Sequence, residues 1–312
     1  MEKQRMTGGK FTYMLYTGGK PCTKGIILCL GNSDEGLLVN GAAKYLVEQG
    51  CDVVAICPVL QGETYDGWHS FPMEIYAEAM ACLKARGISK IGVAGGSTTA
   101  MVSLTALSLY PELSLGLIYA GCDFLFEGVH VREGKSGKLK DRVEVPAHGQ
   151  SSLSYQGRDL PFVPYHLTDE QYHELAYGSQ KKYGELNGWE LYDHVEAQPE
   201  FAGSLIPVEN SHAHIHAFSA EDDSLWRTAN YMRRLGKRLQ AHDYAYGFTL
   251  HVYPYGTHFM YPQGMLLKIA HAPFAIRLLL GKMFHSGKQH PRECEQARLD
   301  ADRATKKALA DW

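Results

Sequence analysis

Short apolar runs alternate with segments of helical periodicity along the first 120 residues. A continuous apolar run over residues 25–30 predicts a buried strand, and apolar positions three and four apart over residues 37–49 predict a helix. The same reading predicts further strands at 51–57, 89–94 and 115–120, and further helices at 71–86 and 98–110. Strands and helices that alternate in this way form a mostly parallel sheet covered on both faces, so the chain is predicted to belong to the α/β class.

The alternation stops between residues 122 and 204, where the chain is rich in Gly, Pro, Tyr and charged residues. A structureless loop of that length is uncommon in a compact domain, so an insertion or cap with a few short helices is predicted, one of them near residues 168–178. The alternation then resumes, with strands predicted at 212–219 and 247–254 and helices at 224–241 and 264–284. Residues 1–290 are therefore predicted to form one domain, followed by a charged tail or helix at 291–312.

Composition narrows the class of protein. The chain of 312 residues has 45% hydrophobic residues and a formal net charge of −3. It therefore lacks the excess of basic residues that is typical of a nucleic-acid-binding protein. Its seven cysteines form no C-x-x-C pair, which favours a reduced, cytoplasmic protein. The first six residues contain no apolar run of a signal peptide. The apolar segment at 265–284 contains Lys268, Pro273 and Arg277, and is interpreted as a core helix rather than a membrane span.

The segment around Ser97 carries the strongest chemical signal. A buried strand leads into Gly95-Gly96-Ser97-Thr98-Thr99, and a predicted helix follows at once. A Gly-x-Ser-x-small turn between a strand and a helix is the nucleophile elbow of the α/β-hydrolase fold. Such a turn raises the serine hydroxyl above the sheet at a helix N-terminus, where backbone N–H groups favour a developing anion. Alternatively, Ser97 only caps the N-terminus of the following helix.

A serine nucleophile needs a base, and in this fold the chain order is Ser, acid, His. Three acids, residues 221–223, crowd the end of the strand predicted at 212–219, where α/β sheets place their sites. His258 lies in a Gly-containing loop just after the strand predicted at 247–254, and its nearest rival, His251, lies within that strand. The pattern alone therefore indicates His258 as the base and leaves the choice among the three acids open.

The oxyanion hole of this fold combines the N–H of the residue after the nucleophile with an N–H from the loop after an earlier strand. Those positions are occupied by Thr98 and by the Asn-Asp-rich loop after the strand at 25–30, in which Asn32 is the favoured donor and Ser33 the next. The same loop also has the composition of a helix N-cap, and the two roles are compatible.

Three closely spaced histidines offer a possible metal site as an alternative. His212, His214 and His216 alternate along a predicted strand and share one face. Three histidines can hold zinc, but neighbours on one strand converge poorly on a single ion and no further ligand is evident. We therefore expect structural histidines, no metal and no cofactor.

The chain resembles the C-terminal catalytic domain of the acyl-CoA thioester hydrolases and bile acid-CoA:amino acid N-acyltransferases. The similarity rests on Ile206-Pro207-Val208-Glu209, on the run Phe218 to Trp226 that contains Ala-Glu-Asp-Asp, on the elbow, and on Tyr253 to His258. The resemblance implies Ser97 as nucleophile, Asp223 as acid and His258 as base. The chain differs from the family pattern at Thr98-Thr99, where the family has Lys-Gly, and at Ala220, where the family has Gly.

These observations lead to an expected function. The chain is predicted to be a serine hydrolase that forms an acyl-enzyme, with acyl-CoA or a related thioester as the leading substrate. A carboxylesterase or dienelactone-hydrolase-like enzyme acting on oxygen esters is the alternative, and a non-catalytic binding protein on the same scaffold is a third possibility. A CoA pocket would place cations near its mouth, and the candidates in the insertion are Arg132, Lys135, Lys138 and Lys140.

Overall fold

The computed structural model describes residues 1–31, 34–57, 67–132, 143–183 and 185–312. The strands are β1 (Glu2–Thr7), β2 (Thr12–Thr17), β3 (Lys24–Cys29), β4 (Cys51–Ile56), β5 (Gly67–Trp68), β6 (Phe71–Pro72), β7 (Lys90–Gly96), β8 (Leu113–Tyr119), β9 (Glu127–Arg132), β10 (Val143–Ser151), β11 (Leu153–Tyr155), β12 (Arg158–Asp159), β13 (His214–Ala220) and β14 (Phe248–Tyr253). The helices are α1 (Leu37–Glu48), α2 (Ile75–Ala85), α3 (Thr98–Leu109), α4 (Asp169–Tyr183), α5 (Trp189–Glu196), α6 (Thr228–Ala241), α7 (Gln263–Ala270), α8 (Pro273–Met283), α9 (His285–Gln289) and α10 (Pro291–Asp311).

Eight strands form the central sheet in the order β1-β2-β4-β3-β7-β8-β13-β14. The six strands from β4 to β14 in that order run parallel, whereas β2 is antiparallel to both of its neighbours. The alternation of strands and helices thus predicted the parallel part correctly. The β1–β2 hairpin was not predicted, because β1 is almost wholly exposed and polar and so has no apolar pattern.

Helices cover both faces of the sheet and bury a core on each. Alternate residues of β3 point to opposite sides: Ile27 belongs to the core under α2, α3 and α6, and Ile26 to the core under α1, α7 and α10. This two-sided burial explains why the parallel strands are continuous apolar runs rather than alternating ones. The fold is an α/β-hydrolase fold, as the sequence predicted.

The segment between β8 and β13 builds one wall above the carboxyl ends of the strands. It contributes β9 and β10 to a three-stranded sheet with β5, pairs β11 with β12 and β6, and continues through α4 and α5. The helix expected near 168–178 is present as α4. The strands were not predicted, because β10 contains Pro146 and Gly149, which are unusual within a strand.

The single helix expected at 264–284 is wrong. The chain forms α7 and α8, whose axes differ by 97°. His271 ends α7 with a left-handed backbone (φ 56°), and Pro273 begins α8, because a residue before proline avoids helical angles. Nor is α8 a core helix throughout, since Phe274, Leu278 and Leu279 are 67%, 51% and 54% exposed.

No single helix within the described ranges is both long and apolar enough to cross a membrane; the bent α7–α8 pair passes the same length and composition test only when the two are combined. The charged segment after residue 290 folds as α10. One side of α10 packs into the core through Ala297, Ala301 and Leu309, so this segment forms part of the domain.

Candidate active site

The turn between β7 and α3 holds Ser97 in an unusual backbone conformation, with φ 58° and ψ −133°. Small residues make this possible. A Cβ on Gly95 would lie 2.3 Å from the Thr99 carbonyl oxygen, and a Cβ on Gly96 would lie 2.3 Å from the ring of Tyr261. Positive φ in a non-glycine residue carries strain, which the surrounding turn must hold in place. The turn therefore has the geometry of a nucleophile elbow.

Thr99 fixes this turn where the resembling family has Gly. Its Oγ1 donates a hydrogen bond of 2.7 Å to the Gly96 carbonyl and accepts one of 2.9 Å from the Gly96 N–H. The side chain is buried, so neither bond competes with solvent. Thr99, where the chain departs from the family pattern, thus stabilises the turn through these two hydrogen bonds.

His258 lies in the loop after β14, directly after Thr257, whose backbone is left-handed (φ 61°). Its Nε2 lies 2.7 Å from Ser97 Oγ, and its Nδ1 lies 3.0 and 2.9 Å from the two carboxylate oxygens of Asp223. An ionised carboxylate can only accept, so Nδ1 carries the proton and Nε2 is free to accept from the serine hydroxyl. The structure therefore brings the three residues together in the expected order.

Asp223 is held by donors on all sides. Its Oδ1 accepts from the N–H groups of Leu225 and Trp226 at 3.0 and 3.1 Å, and its Oδ2 accepts from Thr228 Oγ1 at 2.9 Å. The residue is 1% exposed. A buried carboxylate with this many donors is compensated for its lost hydration. In addition, Trp189 of α5 donates its indole N–H to the Asp223 carbonyl at 2.6 Å.

The adjacent Asp222 points the other way and acts on the backbone. Its Oδ1 accepts from the N–H groups of Gly256 and Thr257 at 2.8 and 3.0 Å, immediately before His258. Burial raises the pKa of Asp222 above its ordinary value, and those two N–H groups oppose the rise. Glu221, the third acid, forms an ion pair with Arg233 at the surface. The three neighbouring acids therefore have three separate environments.

Of the two N–H donors expected in the oxyanion hole, only that of Thr98 lies in the described residues. Thr98 opens α3, and no residue within the described ranges accepts a hydrogen bond from its N–H, as expected for the first turn of a helix. Asn32 and Ser33, the expected second donors, lie outside the described residues. Their neighbours Gly31 and Leu38 line the pocket next to Ser97.

The pocket above Ser97 has a volume of about 330 Å³, close to the lower limit of ordinary ligand sites of roughly 300–1,000 Å³. It is lined by Gly31, Leu38, Trp68, Gly96, Ser97, Thr98, Thr99, Phe126, Val129, Glu144, Tyr165, Tyr172, Tyr192, Leu225, His258, Phe259 and Tyr261. Seven of these residues are Trp, Tyr or Phe, and Glu144 is the only carboxylate. None is Lys or Arg.

The cations expected near a CoA pocket cannot be placed. Lys135, Lys138 and Lys140 lie outside the described residues, as does the side chain of Arg132.

The three histidines considered as metal ligands do not line the pocket next to Ser97. His214 and His216 stack at 4.3 Å between ring centroids, whereas His212 precedes β13 and stacks on Tyr246. Throughout the described ranges, no group of three His, Cys, Asp or Glu side chains is arranged to hold a metal ion. His251 packs on Phe218, with ring centroids 4.6 Å apart, and not on Ser97.

Several residues around Ser97 were not identified from the sequence. Trp226 places the edge of its ring against His258 at a centroid distance of 5.5 Å, and its position in the Ala-Glu-Asp-Asp run was the only signal for it. Glu144 and most of the pocket's aromatic wall come from the segment between β8 and β13, and Trp68 comes from β5; no motif marks any of them. The wall residues of that segment are Phe126, Tyr165, Tyr172 and Tyr192.

Fold and site together define an α/β hydrolase of the esterase and thioesterase type. The sequence model described as "BAAT / Acyl-CoA thioester hydrolase C terminal" matches residues 71–275, well over half of the chain. The chain therefore belongs to this family, as the resemblance indicated. The matched segment contains Ser97, Asp223 and His258.

Solved structures agree with this fold. An esterase of Pyrococcus furiosus superposes with a TM-score of 0.51 at 13% identity, over 89% of this chain and 87% of that one. A Klebsiella pneumoniae protein assigned as a dienelactone hydrolase superposes with a TM-score of 0.52 at 10% identity, over 100% and 99% of the two chains. No curated protein sequence matches the chain.

Proposed function

We propose that this protein is a serine hydrolase of acyl thioesters, with Ser97 as nucleophile, His258 as general base and acid, and Asp223 as the carboxylate that orients His258. The observation that carries the proposal is the continuous hydrogen-bonded chain from Ser97 Oγ through both ring nitrogens of His258 to Asp223. Membership of the acyl-CoA thioester hydrolase family supports a thioester as the substrate.

The first half of the reaction forms an acyl-enzyme. Ser97 Oγ attacks the acyl carbonyl carbon while its proton passes to His258 Nε2, and the carbonyl oxygen becomes an oxyanion beside the Thr98 N–H. Asp223 keeps its hydrogen bond to Nδ1 and stabilises the imidazolium. The carbon–sulfur bond then breaks, and His258 gives its proton to the leaving sulfur, which departs as a thiol.

The second half releases the acid. A water molecule gives a proton to His258 Nε2 as it attacks the ester carbon on Ser97, and the carbon–Oγ bond breaks. The proton returns from His258 to Ser97 Oγ, and the acyl group leaves as a carboxylic acid. The donors on Leu225, Trp226 and Thr228 hold the Asp223 carboxylate in place as the acceptor for His258 through both halves.

Hydrolysis of oxygen esters is the second candidate. It is supported by the esterase and the dienelactone hydrolase among the solved structures that share this fold. Both candidates use the same three residues and differ only in the leaving group.

The two candidates are tested on panels of acyl-CoA thioesters and p-nitrophenyl esters of equal acyl length. Ser97→Ala is expected to lower kcat on every substrate by about 10⁶-fold, as the loss of such a nucleophile does in serine proteases. Ser108→Ala, on the same helix, is the matched control and retains activity. A serine-directed phosphonate should inactivate the wild type by modifying Ser97.

Thiol alkylation is expected to leave most of the activity, since none of the described cysteines lines the pocket. Full activity of Ser97→Ala, or complete inactivation by alkylation with Ser97 unmodified, would show that the nucleophile is misassigned.

A further inference from the structure

The pocket beside Ser97 combines an aromatic wall with a carboxylate that forms no ion pair with any residue in the described ranges. Trp68, Phe126, Tyr165, Tyr172 and Tyr192 form the wall, and Glu144 of β10 lies among them. An apolar acyl chain would need only the aromatic surface. A carboxylate within such a wall calls for its own explanation, because even a half-buried charge such as Glu144 loses part of its hydration.

The structure supplies little compensation for Glu144. Its Oε2 accepts a hydrogen bond of 2.5 Å from the hydroxyl of Tyr177. Across the described part of the chain, Glu144 takes part in no ion pair with Lys, Arg or His. The fully buried carboxylates of the same segment have stronger partners: Asp123 forms an ion pair with Arg234, and Glu127 accepts from the N–H groups of Gly149 and Tyr165. Glu144 therefore presents a net negative charge to the pocket.

The electrostatic effect of this charge reaches the surrounding rings. Burial is the first cause that raises the pKa values of Tyr172 and Tyr177, and the charge of Glu144 raises both further. Tyr165 and Tyr192 respond in the same direction, with Glu144 a smaller contributor. The hydroxyls thus stay protonated, and the pocket remains unfavourable to a second anion.

The rings are also arranged as a continuous enclosure. Ring centroids of Tyr165 and Tyr172 lie 4.9 Å apart, those of Phe126 and Tyr165 lie 6.2 Å apart, and those of Phe126 and Tyr192 lie 5.9 Å apart. The pairs are tilted or edge-on rather than parallel. Aromatic enclosures with a nearby carboxylate bind ammonium groups through the ring quadrupoles and direct charge attraction.

We propose that the part of the substrate held in this pocket carries a positively charged ammonium group, bound by the aromatic wall and Glu144 while Ser97 attacks the neighbouring acyl carbon. This substrate class rests on the proposed hydrolase function, which it deepens. The small pocket volume limits the ammonium-bearing part to a compact group rather than a long chain.

Direct binding tests the proposal without requiring turnover. Isothermal titration of Ser97→Ala and of wild type with phenyltrimethylammonium, beside its neutral isostere tert-butylbenzene, should show the cation bound about ten-fold or more tightly. Glu144→Gln should remove most of that difference. Glu190→Gln, which changes an exposed carboxylate of α5, is the matched control and should retain it.

Turnover then shows where the charge lies in the substrate. Choline esters are compared with 3,3-dimethylbutyl esters for a charged leaving group, and p-nitrophenyl esters of trimethylammonioacetate with those of 3,3-dimethylbutanoate for a charged acyl group. A charged member preferred by about ten-fold in kcat/KM in either pair, with the preference lost in Glu144→Gln, supports the proposal.

Equal binding of cation and isostere by the wild type would overturn the substrate class, and so would a preference that Glu144→Gln leaves unchanged. Cation binding through Glu144 with no hydrolysis of any ester would support the ammonium site and refute the hydrolase function. Hydrolysis of neutral esters with no cation preference would support the hydrolase function and refute the ammonium site.

Discussion

The two sides of the pocket are built on different principles. On the side of the sheet, Ser97, Asp223 and His258 come from the ends of β7, β13 and β14, and each is held by specific hydrogen bonds. On the opposite side, the wall comes from the segment between β8 and β13, with Trp68 added from β5, and consists mainly of rings that contact one another. Hydrogen bonds fix single atoms to within a few tenths of an ångström, whereas packed rings fix mainly volume and shape.

The difference indicates how each side tolerates change. A polar residue on the sheet side has few substitutes, because its neighbours lose defined partners when it is replaced. A ring on the opposite side can be exchanged for another apolar group at a smaller cost, with a changed pocket shape. We therefore expect catalytic rate to depend on the sheet side and substrate preference on the inserted side.

Among the residues that support the nucleophile, the largest effect should come from Asp223. Asp223→Asn is expected to lower kcat by about 10⁴-fold, because the amide donates to His258 and favours the wrong tautomer. Asp222→Asn is the matched neighbour: its amide carbonyl can still accept from the Gly256 and Thr257 N–H groups, so kcat should fall by no more than about ten-fold. Steady-state kinetics of both variants on one ester decides the assignment, and a greater loss in Asp222→Asn would reverse it.

A smaller effect is expected on the inserted side. Val129→Ala should change the preference between a branched and an acetyl ester by about ten-fold in kcat/KM, since one or two methylene groups in a pocket are worth that much. kcat on the acetyl ester should stay within a few-fold. Val145→Ala, buried in β10 outside the pocket lining, should leave the preference as it is. If Val129→Ala instead lowers kcat on all esters alike, the division between the two sides fails.

The smallest effect concerns acid stability of the sheet side. Burial first, and then the neighbouring His214 and His251, lower the pKa of His216 to about 4. An unfolded histidine titrates near about 6.5. Between these values the unfolded chain binds a proton that the folded chain does not, so the free energy of unfolding should fall as pH drops from about 6.5 to about 4.

Above pH about 6.5 this histidine should have no effect on stability, because it is neutral in both states. Urea unfolding at several pH values measures the slope, and His216→Asn should flatten it. Because the side chain is only partly buried, the change in slope should be modest. An unchanged slope in the variant would assign the acid sensitivity to other groups.

The parts of the fold that could be predicted from the sequence are those that leave a local pattern in the chain. Parallel strands buried on two faces are visible as apolar runs, and the elbow must lie between one of these strands and a helix, so Ser97 was recognisable. His258 and the acid cluster followed from chain order. The separate contacts of Asp222 and Asp223 were not predictable from the residues alone, because adjacent residues differ only in the direction of their side chains.

The unpredicted parts depend on long-range packing. Strand β1 is polar and is ordered only by its pairing with β2. The break between α7 and α8 was marked by Pro273, but the apolar run through it outweighed that signal. Glu144 is one of many acids in the sequence, and only the folded chain places it among the rings of the pocket.

The bond from Trp189 to the Asp223 carbonyl also bears on how such enzymes can be recombined. Near it, Arg227 forms two hydrogen bonds of 2.6 Å with Asp193 of α5 and lies over the Trp189 ring at 4.3 Å. The inserted segment is thereby fastened to the loop that presents the acid. A chimera that takes this segment from a relative must bring matching partners for residues 223 and 227, or the transplanted wall will displace the acid it is meant to serve.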